Sequence, residues 1–332
     1  MSFFISNFIK RLIFFVCLIL SNFLWPESVE ISQKKVLICG PIKNGEQFFS
    51  QNTEDIERIG GLFNDYRVII FENDSRDLTH QLYKNWANEN KKVIFLSESL
   101  LEYSNFIIKN FNGDLRTEII SQARNKILQE AYKEIYCDFD YLIMLDLDGF
   151  TSIDENLIKQ AIENPEEPWD AIFANGSYDL YALRSKKFPC GPESLGWDLW
   201  QENLKNLGIR FANELKQNKW IKVDSAYGGL AIYQLRTIRG TYYSGIYSKN
   251  LRNKLKEYIE DQSFNDWGNL EDVVQIKFTE IEKFLNFYKN PLFNIFTCEH
   301  ILFHLELQKK GYNRFYVDPR LIRNSLFHKN YF

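Results

Sequence analysis

The amino-acid sequence predicts an α/β protein with a mainly parallel sheet covered by helices on both faces. Short, continuous apolar runs alternate with amphipathic helical stretches in the first half of the chain, which is typical of buried parallel strands. No internal repeat or low-complexity run follows residue 30, and Pro and Gly are few and dispersed. The 332 residues therefore fit one α/β domain at 31–332, preceded by a separate segment at 1–30.

The overall charge and the cysteines exclude some functions. A net charge of −4 provides no global basic field to attract nucleic acid, so we expect no nucleic-acid partner. The five cysteines are scattered and form no C-x-x-C pair. Ordinary buried thiols are therefore expected, rather than a zinc site or a disulfide framework.

The first 30 residues predict a membrane attachment. Lys10 and Arg11 precede about fourteen apolar or small residues at 12–25, and Pro26 and Glu27 end the run. The run is shorter than the ~20 residues of a typical membrane span, and no A-x-A-like cleavage site follows it. We favour a retained anchor over a cleaved signal or an interfacial segment, so the protein is expected to be membrane-associated. If the anchor spans the membrane, the basic pair keeps the N-terminus cytoplasmic, and the compartment of the catalytic domain stays open.

Four strands are predicted in the first half, in the segments 34–40, 66–74, 91–99 and 141–149. Amphipathic helical patterns lie between them at 53–66, 78–90 and 117–135. In parallel sheets, ligands bind beyond the carboxyl ends of the strands. Polar residues follow each predicted strand and should converge on one site: Pro41–Asn44, Glu72–Ser75, Ser97–Ser99 and Asp146–Gly149.

The second half is less regular and predicts a substrate-binding elaboration. The segment 169–184 has the pattern strand, turn, strand, and 188–200 is a loop with aromatic anchors. The segment 224–235 is a loop entering a strand. A helix at 298–311 ends at Gly311, and a last strand follows at 312–321.

The stretch YLIMLDLDGF places Asp146 and Asp148 directly after a buried strand. Two carboxylates this close repel each other unless a positive group lies between them. Oxygen ligands suit Mg²⁺ or Mn²⁺, which also bind phosphates. The sequence therefore predicts a metal–phosphate site.

Two enzyme classes use such an acidic pair. In haloacid-dehalogenase-type phosphohydrolases the first Asp, here Asp146, is the nucleophile. In nucleotide-sugar glycosyltransferases the pair holds a cation against the donor diphosphate. The phosphatase motif opens its fold and continues with Thr, whereas this pair follows three predicted strands and continues with Phe150. The glycosyltransferase interpretation is favoured. A phosphohydrolase and a non-catalytic glycan-binding module stay as alternatives.

Further motifs accompany the acidic pair. In IIFENDSRDLT (69–79), Glu72 ends a strand and can accept hydrogen bonds from a base or a ribose, while Asp77 and Thr79 can cap the next helix. ARNKIL (123–128) lies on the helix before the acidic pair. In SAYGGLAIY (225–233), Gly228 and Gly229 allow a backbone to approach a sugar closely.

The ordered set of motifs resembles the fungal capsule-associated α-1,3-mannosyltransferase family and its viral and bacterial relatives. It comprises 69–79, 123–128, the acidic pair, YDLYALR (178–184), 225–233 and CEH (298–300), and the resemblance spans about 35–320. Tyr181 replaces the usual Trp of this family. The resemblance implies a GT-A fold and a metal-dependent GDP- or UDP-sugar donor. It also implies transfer of a hexose, with mannose as the leading candidate, to a hydroxyl of a glycan or glycoconjugate.

The resemblance and the residue types together assign roles. Asp179 is expected to hydrogen-bond hydroxyls of the donor sugar, and Asp224 is expected to bind hydroxyls of the acceptor. Glu299 is expected as the general base, or alternatively His300 is the third metal ligand. The expected metal ligands are Asp146, Asp148 and His300. The expected donor-binding residues are Glu72, Ser75, Asp77, Arg124, Asn125, Asp146, Gly228 and Gly229.

The remaining aromatic and histidine residues receive weaker assignments. Trp197 and Trp200 are candidates for stacking on a sugar face, although packed core aromatics are the more common arrangement. His304 lies four residues after His300, on the same face of the predicted helix, and is assigned to packing.

Overall fold

The structure is a computed structural model. It describes residues 29–110, 116–176, 180–188, 191, 197–246, 248, 250–251, 253–254, 257, 296–324 and 326. Most of the predicted anchor at 1–30 and the candidate residue Asp179 lie outside these ranges. Every helix within them is too short or too polar to cross a membrane.

The described strands form one mixed, mainly parallel sheet. Their bounds are β1 Lys35–Ile42, β2 Asp65–Glu72, β3 Val93–Ser97, β4 Tyr141–Leu145, β5 Ala171–Asn175, β6 Ile221–Val223, β7 Leu230–Gln234 and β8 Phe315–Ile322. The spatial order is β3-β2-β1-β4-β7-β5-β8-β6. The first four strands pair in parallel, β1 with β2 and β4, and β2 with β3. The predicted parallel unit is therefore confirmed, and its four carboxyl ends lie along one edge.

The described helices cover both faces of this sheet. Their bounds are α1 Phe49–Gly60, α2 Thr79–Glu89, α3 Leu101–Asn110, α4 Arg116–Ala131, α5 Glu155–Glu163, α6 Trp197–Leu215, α7 Leu235–Ile238 and α8 Glu299–Lys309. Helices α1, α2 and α5 pack on one face, and α4, α6 and α8 pack on the other.

Burial on both faces explains why the parallel strands are continuously apolar. In β1, Val36 and Ile38 belong to one core, whereas Leu37 and Cys39 belong to the other. Because successive side chains point to opposite faces, each residue of a doubly covered strand must be apolar. The apolar run that predicted β1 is thus a direct consequence of the two helical layers.

The second half enters the sheet through an antiparallel strand. Strand β7 lies between β4 and β5 and is antiparallel to both, with Leu230 opposite Leu145. Strand β5 is parallel to β8, and β6 is antiparallel to β8. The amino end of β7 therefore meets the carboxyl end of β4, which brings the Gly228–Gly229 turn to the same edge as Asp146.

Several element predictions for the second half hold and others do not. Helix α6 was not predicted, and its first residues, 197–200, lie in the segment that was predicted to be a loop. The predicted helix is α8, which is followed by Gly311 at φ +90°, and the predicted strands at 224–235 and 312–321 are β7 and β8. The second strand predicted within 169–184 is wrong for the described residues 180–184, where only an isolated bridge joins Arg184 to Ser225. Strand β6 was not predicted, because its three residues are too few to show a periodic pattern.

Candidate functional site

Asp146 lies at the carboxyl edge, directly after β4, and other segments hold its backbone. Its N–H donates to the carbonyl of Gly229 at 3.0 Å, which extends the pairing of β4 with β7 by one residue. Its own carbonyl accepts a hydrogen bond from the Arg323 guanidinium. The first acid of the D-x-D pair is therefore placed by the turn before β7 and by the residue that follows β8.

Arg124, on α4, joins two of the predicted functional acids. Its Nη2 contacts Asp146 Oδ1 at 2.7 Å, and its Nη1 donates to Glu299 Oε1. The arginine is 3% exposed, and Glu299, the first residue of α8, is 5% exposed. One buried guanidinium thus balances two carboxylates that come from the D-x-D and C-E-H motifs.

Asp148 is the second acid of the pair and keeps an exposed face. Partial desolvation by the surrounding protein and repulsion from Asp146 raise its pKa to about 6. The positive charges of Arg116 and Arg124 act in the opposite direction but are too weak to cancel the increase. A cation bound next to Asp148 would favour its ionised form.

Tyr227 connects Asp146 to His300. Its hydroxyl donates to Asp146 Oδ1 at 3.1 Å. Its ring stacks on the His300 imidazole, with the ring centres 3.8 Å apart and the planes 20° from parallel. The Arg124 guanidinium lies 4.9 Å from the centre of the same ring. Because β7 follows Tyr227 directly after two glycines, the antiparallel pairing with β4 places this ring beside the D-x-D pair.

His300 is buried, and its two ring nitrogens have no hydrogen-bond partner within the described part of the chain. Its Nε2 lies 3.5 Å from Glu299 Oε1, at the outer limit of a hydrogen bond. Burial and the nearby charge of Arg124 lower the pKa of His300 well below its ordinary value. The imidazole is therefore neutral, and a neutral imidazole offers a lone pair to a metal ion.

The predicted metal ligands are not gathered into one preformed centre. Among the described residues, no group of three or more His, Cys, Asp or Glu side chains is arranged to hold a metal ion. Arg124 instead supplies the positive charge beside Asp146. Even so, the raised pKa of Asp148 and the unpartnered nitrogens of His300 suit the hard-oxygen and imidazole chemistry of Mn²⁺ or Mg²⁺. The assignment of Asp146, Asp148 and His300 as ligands stays a prediction.

Glu72 ends β2 as predicted, but neighbouring groups already use its carboxylate. It is 3% exposed and accepts hydrogen bonds from Ser75 N–H (2.8 Å) and Ser97 Oγ (2.8 Å), and it contacts His80 Nδ1 at 3.0 Å. Burial acts to raise the pKa of Glu72, but these hydrogen bonds outweigh it and hold the pKa below its usual value. The His80 side chain, at 46% exposure, is the part of this group that reaches solvent.

Ser75 and Asp77 tie the turn after β2 to the turn after β1. Ser75 Oγ accepts from the N–H of Asn44 at 3.0 Å, and Asp77 Oδ2 accepts from the N–H of Glu46 at 3.2 Å. Asp77 Oδ1 also accepts from the N–H of Thr79, the first residue of α2, at 3.0 Å. Two of the predicted strand ends are therefore joined. The roles of Ser75 and Asp77 in donor binding stay predictions.

Asn125 makes two hydrogen bonds to the backbone of Tyr243. Its Nδ2 donates to the Tyr243 carbonyl at 2.9 Å, and its Oδ1 accepts from the Tyr243 N–H at 2.7 Å. This reciprocal pair fixes the segment after α7 against α4. Both polar groups of the Asn125 side chain thus have partners inside the protein, and its predicted contact with the donor stays a prediction.

Gly228 and Gly229 form a turn that needs glycine for reasons of packing. Their φ angles are +63° and +78°. A Cβ on Gly228 would lie 2.3 Å from the carbonyl oxygen of Ala174, and one on Gly229 would lie 2.8 Å from the Phe150 ring. Gly228 thus lies against the backbone of β5, and Gly229 lies against the Phe150 ring. An approach to a sugar stays a prediction.

We expect Gly228→Ala to lower the free energy of unfolding markedly. A positive φ costs a residue with Cβ about 1–2 kcal/mol, and the contact with Ala174 adds an overpacking cost of about 1–3 kcal/mol. Gly240→Ala is the matched control, because Gly240 has φ +70° but a Cβ added there would meet nothing within 4 Å. Urea unfolding of both variants measures the difference. Equal losses would contradict the packing argument.

Of the two acids assigned to sugar hydroxyls, only Asp224 lies within the described residues. Asp224 borders a small cavity with Arg184 and Lys254 on the side of α8, and its backbone N–H donates to the carbonyl of Arg184 at 2.7 Å. Asp179 lies outside the described residues. The roles of both acids therefore stay predictions.

The packing assignments fit the described contacts. Trp200 is 6% exposed and meets the Tyr181 ring edge-on at 5.8 Å, as a packed aromatic residue does. The Trp197 side chain lies outside the described part of the chain. His304 is fully buried, with its ring nitrogens 2.8 Å from Ser225 Oγ and from Tyr233 Oη, so both have partners in the core.

Three residues of the site were missed in the sequence. Tyr227 is inside a quoted motif, and only the pairing of β7 with β4 shows that it belongs beside Asp146. Arg323 follows β8, and its guanidinium also lies 4.8 Å from the centre of the Phe150 ring. His80 is the second residue of α2, and no motif in the surrounding sequence indicates that it contacts Glu72.

No protein-family model matches the chain, and no curated protein matches it. Among solved structures it is similar to a mannosyltransferase from Pyrobaculum calidifontis in complex with GDP-Man and Mn²⁺, with 14% identity, 70% of this chain and 56% of that one covered, and a TM-score of 0.36. It is also similar to residues 1–349 of S. aureus TarS in complex with UDP-GlcNAc. The identity is 11%, the match covers 90% of this chain and 60% of the TarS chain, and the TM-score is 0.40. The chain thus spans less than two thirds of both structures, and the overlap describes a partial likeness in shape.

Proposed function

We propose that the chain is a metal-dependent GT-A glycosyltransferase. It moves a hexose, with mannose as the leading candidate, from a GDP- or UDP-sugar to a hydroxyl of a glycan or glycoconjugate. The observation that carries this proposal is the buried contact of Arg124 with both Asp146 and Glu299. This contact gathers the A-R-N, D-x-D and C-E-H motifs at the carboxyl edge of a parallel sheet, which is where α/β folds bind ligands.

The cation in this proposal is Mn²⁺ or Mg²⁺, held by Asp146 and Asp148 with His300 as the third protein ligand. When bound, the cation would offset the negative charge that develops on the leaving nucleoside diphosphate. The raised pKa of Asp148 supports this assignment, because desolvation and, after it, repulsion from Asp146 both disfavour the charged form, and a bound cation would offset both. The unpartnered nitrogens of buried His300 support it independently.

Arg124 has a second role in the proposal, as a partner of the donor diphosphate. A guanidinium binds phosphate oxygens in the same bidentate way as it binds carboxylates. A diphosphate at this edge would compete with Asp146 and Glu299 for the two Nη groups. Movement of Arg124 onto phosphate would release the Glu299 carboxylate.

Glu299 has two alternative roles in the reaction of the acceptor hydroxyl. Glu299 is buried and bound to Arg124, so it can take a proton from an acceptor hydroxyl only after Arg124 releases it. The alternative is that Glu299 takes no proton and only holds Arg124 in place, beside the His300 that binds the metal. Replacing Glu299 by Gln separates the two, since a base is lost and a hydrogen-bond acceptor for Arg124 is kept.

The nucleotide and membrane contacts complete the proposal. The turn that contains Glu72, Ser75 and Asp77 lies at the carboxyl ends of β1 and β2 and is assigned to the nucleoside of the donor. Asp179 and Asp224 are assigned to sugar hydroxyls of the donor and the acceptor. The apolar segment at 12–25 is assigned to membrane attachment, which would keep the enzyme close to a membrane-bound acceptor.

The test is donor hydrolysis by the full-length chain in detergent. GDP-mannose, UDP-glucose and UDP-N-acetylglucosamine are each incubated with Mn²⁺, with Mg²⁺ and with EDTA, and release of the nucleoside diphosphate is measured. We expect release from one donor, dependent on the cation and abolished by EDTA. Release that EDTA leaves unchanged would contradict the metal role. Beryllium fluoride bound at Asp146 would favour the phosphohydrolase, and binding of no nucleotide in calorimetry would favour the glycan-binding module.

A further inference from the structure

Tyr227 contacts two of the predicted metal ligands at once. Its hydroxyl donates to Asp146 Oδ1, and its ring stacks face to face on His300. Tyr227 is 1% exposed and His300 is 2% exposed, whereas the Asp146 side chain is 17% exposed. Asp146 comes from the end of β4 and His300 from the first turn of α8, and Tyr227 is therefore a physical link between two distant parts of the chain.

The orientation of the His300 ring depends on packing instead of hydrogen bonding. Metal-binding histidines usually donate their second N–H to a carboxylate or a carbonyl, which fixes the plane of the ring. Within the described residues, neither nitrogen of His300 has a hydrogen-bond partner. Two aromatic rings confine it instead, Tyr227 face to face at 3.8 Å and Tyr243 edge-on at 5.4 Å.

The orientation of the Asp146 carboxylate depends on two donors that meet the same oxygen. Tyr227 Oη lies 3.1 Å from Oδ1, and Arg124 Nη2 lies 2.7 Å from it. Two donors on one carboxylate oxygen restrict rotation of the carboxylate about χ2. If Arg124 moves onto a diphosphate, the Tyr227 hydroxyl is the donor of this pair that stays on Asp146.

We infer that Tyr227 is a positioning residue that limits the movement of the Asp146 carboxylate and the His300 imidazole, the two groups that would bind a divalent cation together with Asp148. This inference rests on the proposed function. Groups next to metal ligands set the orientation of those ligands, and their loss typically weakens metal binding about 10- to 100-fold. Tyr227 directly precedes the Gly228–Gly229 turn, which packs closely against Ala174 and Phe150. A side chain next to a well-packed element is positioned more precisely than one on an open loop.

The experiment compares Tyr227→Phe with the wild-type chain, both full-length in detergent. Phenylalanine keeps the ring stacked on His300 and removes only the hydroxyl on Asp146. Binding of Mn²⁺ alone, and with GDP or UDP, is measured by the electron paramagnetic resonance signal of the free ion. We expect the Mn²⁺ dissociation constant to rise about tenfold. We expect turnover at saturating Mn²⁺ to return to within about threefold of wild type, since the hydroxyl contacts no reacting atom.

Tyr243→Phe is the matched control. Tyr243 is also a buried tyrosine facing His300 and Arg124, but the hydroxyl bonded to Asp146 belongs to Tyr227. We expect its Mn²⁺ affinity to stay within about twofold of wild type. Tyr227→Phe should lose about 1 kcal/mol of stability, the usual size of one hydrogen bond, and Tyr243→Phe should lose less, because the Tyr243 hydroxyl has no hydrogen-bond partner within the described residues.

The outcomes separate the inference from the proposed function. Wild-type turnover that depends on Mn²⁺, with unchanged Mn²⁺ affinity in Tyr227→Phe, would overturn the inference and leave the function intact. Equal loss of affinity in the two tyrosine variants would also overturn it, since that result indicates a general packing effect. A wild-type chain that binds no Mn²⁺ with or without a nucleoside diphosphate would overturn both.

Discussion

Replacing Arg124 by methionine is expected to destabilise the protein by about 3–5 kcal/mol, which is the usual cost of removing one partner from a buried ion pair. The loss is large because two carboxylates, Asp146 and Glu299, would be left without their shared counter-charge. Methionine keeps much of the side-chain volume, so a cavity contributes little. Equilibrium unfolding in urea measures the change.

Lys126→Met is the control on the same helix. Lys126 pairs with Glu98 at 2.6 Å, but its side chain is 31% exposed, and solvated pairs contribute about 0–1 kcal/mol. The double variant Arg124→Met/Glu299→Met should recover part of the loss, because one of the two unpaired charges is gone. Similar losses for Arg124→Met and Lys126→Met would show that the buried network does not stabilise the fold.

Asp148→Asn is expected to lower cation-dependent turnover by about 100-fold or more, since charge stabilisation by a metal ion contributes several kcal/mol to the barrier. The same substitution should raise the melting temperature by about 1–3 °C at pH 7, the size expected for a partly screened repulsion in a domain of this length. A catalytic residue that destabilises its own fold is typical of a functional site. Turnover is measured by donor hydrolysis, and stability by thermal unfolding.

The pH dependence of that stabilisation provides a check of its cause. Desolvation and Asp146 raise the folded-state pKa of Asp148 to about 6, above its unfolded value. Ionisation of Asp148 therefore costs stability as the pH rises through the interval from the unfolded pKa to about 6. The difference in melting temperature between Asp148→Asn and wild type should reach its full size above pH 6. It should be absent below about pH 4, where Asp148 is protonated in both the folded and the unfolded state.

Asp138→Asn is the control for this acid. Asp138 is 55% exposed and pairs with Lys35 before β4, at the opposite edge of the sheet. We expect turnover within about twofold of wild type, since the residue is far from the carboxyl edge. Loss of turnover in Asp138→Asn equal to that in Asp148→Asn would contradict a specific role for the D-x-D pair.

The sequence was sufficient to predict the parallel half of the sheet. The apolar runs have the length of strands and alternate with segments of helical periodicity. They predict the bounds of β1 to β4 to within a few residues of the bounds in the structure. The reason is local, because burial on both faces requires apolar residues at every position of such strands. The carboxyl-edge acids Glu72, Asp146 and Asp148 follow from the same pattern, since each stands at or just after the end of one of these runs.

The relation between the two halves could not be predicted in this way. Strand β7 inserts antiparallel between β4 and β5, and nothing in its five residues indicates which strands flank it. Pairing between distant segments depends on side-chain packing and on connections that a single sequence does not display. Tyr227 and Arg323 join Asp146 only through this pairing and through the return of β8.

By itself, the sequence determined the class of the fold, the edge at which polar groups collect, and the acids that make this edge suitable for a cation. The tertiary structure alone decided which groups meet. It placed Arg124 between Asp146 and Glu299, stacked Tyr227 on His300, and gave Glu72 hydrogen-bond partners from its own turn, from β3 and from α2. The physical reason is that a residue type and its strand-end position are local properties, whereas the partner of a buried charge is chosen by long-range packing, which must compensate that charge wherever the fold encloses it.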